Sequence, residues 1–105
     1  MQKIKTQFRQ GDVMIEKVKD LPANATKSNG RVILAHGEAT GHCHEIDMNC
    51  AHAWKRDDGQ TVAIRVKKTS EVRHQEHMPV PLKRGTYRVV RQKEYAPGAI
   101  RIVAD

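Results

Sequence analysis

Apolar residues along this chain recur at every second position in short runs, and no stretch of about 11 residues carries a helical apolar stripe. Thr61–Lys67 alternates most cleanly, which predicts Val62, Ile64 and Val66 inward and Arg65 and Lys67 outward. Arg31–His36 reads as a second strand, with Val32, Leu34 and His36 on one side and Ile33 and Ala35 on the other. A strand is expected at Val13–Glu16, between the Gly11-Asp12 turn signal and Leu21-Pro22. Others follow at Glu71–His77 before Pro79 and Pro81, at Tyr87–Gln92 after Gly85, and at Ala99–Val103 after Pro97-Gly98. Asn24–Gly30 is a polar loop ending in an Asn29-Gly30 turn signal, and Asp57-Asp58-Gly59 is the next one. The pattern leaves room for at most a helical turn, in the first six residues or around Asp47. Short strands separated by turns every 8–12 residues or so predict one all-β domain spanning 1–105, a small β-barrel or sandwich.

Composition narrows the function classes. With 105 residues the chain is far too short for an eightfold βα barrel, which needs roughly 250. Aromatic residues make up 4%, so the core must be aliphatic. No apolar run approaches the roughly 20 residues of a membrane span, and Met1-Gln2-Lys3-Ile4-Lys5 lacks the apolar centre of a signal peptide. A cytoplasmic location is the expectation. The net charge of +7 is uneven: Met1–Ile64 carries +1, Arg65–Lys93 carries +7 and the remainder −1. Such a basic stretch suits an anionic small molecule, nucleic acid or an acidic partner, with Arg65, Lys67, Arg73, Arg88 and Arg91 among the candidate contacts. A solvated sheet face explains the same charges equally well. Tyr87 and Tyr95 bracket the basic strand as stacking or core residues, and no long basic helix is available to read a major groove.

The six histidines carry the chemistry: His36, His42, His44, His52, His74 and His77. On an extended segment His42 and His44 project from one face, roughly 6.5 Å apart, close enough to converge on one ion. Gly37 and Gly41 would let the backbone turn sharply before the pair. In His74-Gln75-Glu76-His77, a strand puts His74 with Glu76 on one face, whereas a turn puts His74 with His77. The candidate metal set is therefore His42, His44 and His74 with Glu76 or His77, holding one transition metal ion, zinc first, with iron, nickel or manganese as alternatives. Solvated or hydrogen-bonded histidines would leave the same pattern. A closed site would be structural, and an open one would leave room for water or substrate, with Glu45 or Glu76 as general base.

Cys43 and Cys50, joined by His52 and one more histidine, form a competing zinc set. It lacks a close Cys-x-x-Cys pair, and on a strand Cys43 points away from His42 and His44. A disulfide between Cys43 and Cys50 would require an oxidising compartment. No Ser/His/Asp order and no phosphate-cradling glycine loop is visible.

The stretch Gly37-Glu38-Ala39-Thr40-Gly41-His42-Cys43-His44-Glu45, followed by His74-Gln75-Glu76-His77-Met78-Pro79, Leu82, Gly85, Tyr87 and Arg91-Gln92-Lys93-Glu94-Tyr95, resembles a set of small uncharacterised bacterial and phage proteins. These share a Thr-Gly-His-x-His element and a His-x-Glu-His element before a Gly-x-Tyr strand. The likeness runs from Gly11 to Asp105 and brings no activity with it. More distantly, His42-x-His44 after glycines is similar to the first metal motif of cupins, which implies a cupin-like barrel. The glutamate of that motif is replaced by Met48 and Asn49 here, and the second cupin motif, Pro-x-Gly-x-x-His, is missing. A homodimer is expected if so aromatic-poor a domain hides an apolar edge.

Overall fold

The structure, a computed structural model, describes residues 6–37 and 41–91. Ten strands follow one another: β1 Gln7–Gln10, β2 Val13–Val18, β3 Thr26–Ser28, β4 Val32–His36, β5 Cys43–Ile46, β6 Ala51–Lys55, β7 Thr61–Val66, β8 Ser70–Val72, β9 Val80–Leu82 and β10 Gly85–Arg91. Six of them form an antiparallel sheet in the order β1-β2-β10-β7-β6-β3. The other four make two separate hairpins, β4-β5 and β8-β9. No helix among the described residues is long and apolar enough to cross a membrane.

The all-β expectation holds, but the sheets do not close into a barrel. β1 and β3 are open edges of the large sheet, and the two hairpins pair with neither. Alternation alone marks which side of a strand is buried; it does not say which strands pair. The hairpins pack against the large sheet instead, β4 against β6 and β7, and β9 against β1. Between them lies an aliphatic core of Val13, Ile15, Leu34, Ile46, Ile64, Val66, Val72 and Leu82 with one buried aromatic, Tyr87. Phe8 meets the Tyr87 ring edge-on at 6.1 Å, and the Tyr87 hydroxyl donates to the Lys83 carbonyl at 2.6 Å. Tyr87 is thus core rather than a stacking platform; Tyr95 and the strand expected at Ala99–Val103 lie outside the described residues.

Three departures from simple alternation shape the site. The β4-β5 register shifts between Ile33 and Ala35, so Ala35 pairs with His44 and is buried while His36 turns to solvent. The strand expected at Glu71–His77 stops at Val72, with one further bridge in which Arg73 and Glu45 exchange both backbone bonds. The side chain of Gln75 then accepts the Cys43 N–H at 3.0 Å, which takes the place of a ladder bond and releases 74–79 as a loop. Within the polar loop Asn24–Gly30, Thr26–Ser28 pairs with β6 as the edge strand β3. Around Asp47 the chain makes a turn, not a helix, closed by the Cys50 N–H on the Asp47 carbonyl.

Candidate metal centre

The β1-β2 turn, the end of the β4-β5 connection and the loop after β8 meet around a pocket of about 300 Å³. Its lining includes His42, His44, His74, His77 and Glu76, which are the five residues expected from the sequence, together with Gly11, Asp12 and Gly37. The loop brings both His74 and His77 to the pocket, with Glu76 beside them. Ring centroids lie 4.4 Å apart for His44 and His74, 4.7 Å for His74 and His77, and 5.6 Å for His42 and His74.

His44 anchors the pocket. It is 2% exposed, and its Nδ1 lies 2.8 Å from Oε1 of Gln10. The Gln10 amide has only one workable orientation, because its Nε2 donates to two carbonyls, those of Val72 and Met78, each at 2.9 Å. Its oxygen must therefore face His44, and Nδ1 of His44 must carry the proton. That leaves the lone pair on Nε2, 3.9 Å from Oδ1 of Asp12. A carboxamide or carboxylate behind one imidazole nitrogen, with the other nitrogen free, is the arrangement that orients metal-bound histidines. Burial first, then the neighbouring His74, pushes the His44 pKa down to about 4, against the pull of Asp12. His74 is also lowered, by burial and then by His77 and His42. His44 is thus a neutral imidazole with an available lone pair on Nε2.

Two glycines admit the rings. A Cβ on Gly11, whose φ is +60°, would stand 2.7 Å from Nε2 of His77. One on Gly37 would stand 2.9 Å from Nε2 of His74. The other side chains are less prepared than His44. Nδ1 of His42 is buried without a hydrogen bond, 3.8 Å from Oε2 of Glu76. Nδ1 of His74 accepts the Glu76 N–H at 3.0 Å, which places the ring proton on Nε2. Among the described residues no three His, Cys, Asp or Glu side chains stand in position to chelate one ion. Capture of an ion by His74 through Nε2 would require the ring to give up its bond to Glu76.

Gln10 and Asp12 were not legible as site residues, since nothing local to them signals a partner some 30 to 60 positions away. The competing Cys43 points to the other side of β5, where Sγ lies near Arg31 and Glu45. Burial, then Glu45, raises its pKa. Glu45 is likewise turned away as a general base: Arg31 holds both its oxygens at 2.7 and 2.8 Å. The basic candidates disperse. Arg65 and Arg88 lie on the outer face of the large sheet, Arg65 over the Trp54 ring at 5.6 Å and Arg88 paired with Glu16. Lys67 flanks Arg84 and Arg65, Arg73 faces Glu71 at 3.5 Å, and Arg91 enters a separate cavity.

Fold and site together define a small all-β protein with an imidazole-lined pocket at the junction of three loops. The chain belongs to the family described as Domain of unknown function (DUF8820), whose model matches residues 9–92 and so spans the whole pocket. Comparison with curated proteins and with solved structures gives no match.

Proposed function

We propose that this pocket binds one transition metal ion, zinc before iron, nickel or manganese, through His44 with His42, His74 and His77. The observation that carries the reading is the Gln10 bond to His44, which presents one bare imidazole nitrogen to a pocket shared by three more imidazoles. The Thr40-Gly41-His42-x-His44 and His74-x-Glu76-His77 elements would then be the metal signature of the family. A cupin-like origin is supported only by the glycine-led His42-x-His44 pair. Glu76, exposed at the rim, is placed to orient His42 or to take a proton from a bound water.

Metal analysis of untagged protein after reconstitution should give close to one equivalent. Fewer than about 0.2 equivalents of every transition metal would overturn the reading. His44→Ala should abolish binding, Cys43→Ala should leave it, and Gln10→Leu should weaken it about 10- to 100-fold.

The outer sheet face favours a second reading. Arg65 over Trp54 offers stacking surface and positive charge to single-stranded nucleic acid. Retention of single-stranded RNA that falls steeply with salt would support it, and a flat salt response would remove it.

A further inference from the structure

A second cavity, of about 280 Å³, lies where β4 passes the β6-β7 turn and the end of β10. It shares no lining residue with the imidazole pocket. Its charges are unequally matched. Arg31 at its rim is spent on Glu45, and Asp58 is held by Arg56 and by the Gln60 N–H at 2.9 Å. The Thr61 hydroxyl is committed to the Ile33 carbonyl. Arg91 is different: its Nε is buried and makes no hydrogen bond. Lys55, half-buried at the same cavity, has no acidic partner among the described residues. A guanidinium held partly out of water without an acidic partner is costly, and the cost falls when an anion enters the cavity that its side chain lines. Two uncompensated cations, one of them a planar fork, match an oxyanion in both charge and shape. The volume is at the lower end for small-ligand sites.

We propose that this cavity binds a small molecule through a phosphate or carboxylate group, received by Arg91 and steadied by Lys55. The site does not rest on the metal reading, because the two pockets share no lining residue, although the Arg91 charge is felt at His44.

The test is a titration of the full chain with inorganic phosphate and, separately, with succinate, in the presence of a chelator and followed by amide and guanidinium NMR shifts. Saturable shifts at Arg91 Hε and in the amides of residues 33–36 and 55–61 are expected. Whichever of the two probes saturates at lower concentration identifies the oxyanion class. Arg91→Gln and Lys55→Gln should each weaken binding at least about tenfold, while Lys19→Gln, an exposed lysine outside the cavity, should not. Lys55→Gln keeps the test decisive if Arg91→Gln does not fold. Non-saturating shifts with both probes, or equal affinity in the folded Arg91→Gln and Lys55→Gln variants, would overturn the proposal. Shifts confined to the outer sheet face around Trp54 would overturn it too. Because metal is excluded throughout, a failed metal analysis leaves this result untouched, and the converse also holds.

Discussion

At the scale of single residues, His44 is a buried base whose proton position is dictated from a strand far away in sequence. Its folded pKa of about 4 against an ordinary 6.5 makes stability depend on pH. Between those two values the unfolded chain binds a proton that the folded, metal-free chain refuses, so stability falls as pH drops through that window. At 1.36 kcal/mol per pKa unit the loss reaches at most about 3 kcal/mol. Urea midpoints of metal-free protein should therefore fall between pH 7 and pH 4.5, and His44→Phe should flatten that dependence. The pair His42 and His44 was legible because a period of two puts both on one face. Gln10 was not, because an isolated glutamine beside a turn looks like any solvated side chain.

At the scale of elements, the strands with strong alternation were readable and those made by pairing alone were not. Gly85–Arg91 buries Tyr87 and Val89 on one face, and Thr61–Val66 buries Ile64 and Val66 on one face with Ala63 buried on the other, so most of this burial is written locally. Thr26–Ser28 is polar throughout and becomes a strand only because β6 lies beside it. The early end of β8 is a contest between backbone and side chain: Gln75 wins the Cys43 N–H that a longer strand would have used. Gln75→Ala should therefore speed hydrogen exchange at the Cys43 amide. Exchange at Glu45, whose N–H is bound by the Arg73 carbonyl at 2.9 Å, should change little. Equal acceleration at both amides would mean that the whole hairpin contact depends on Gln75.

At the scale of the molecule, the sequence pattern specified strand faces without specifying sheets. A closed barrel and an open sheet with two hairpins on it have the same alternation, and the choice is made by contacts such as those of β4 with β6 and β7. The concentration of charge in Arg65–Lys93 also changed meaning on folding. Neighbours in sequence alternate between faces, so Arg88 ends on the outer sheet surface while Arg91 ends inside a cavity. One linear basic run is thus divided between two surfaces.

The imidazole pocket draws on Gly11 and Asp12, on Gly37, His42 and His44, and on His74, Glu76 and His77, which meet only when the chain is folded. Whatever binds there is linked to the folding equilibrium and acts as a reversible cross-link among three distant segments. At about 100 times its dissociation constant such a ligand adds roughly 2.7 kcal/mol to the native state, if the unfolded chain does not bind it. Zinc should accordingly raise the melting temperature of the unmodified protein in a concentration-dependent way and leave His44→Ala unmoved. A cell could then set the lifetime of this protein by the supply of one ion, with no change in its synthesis.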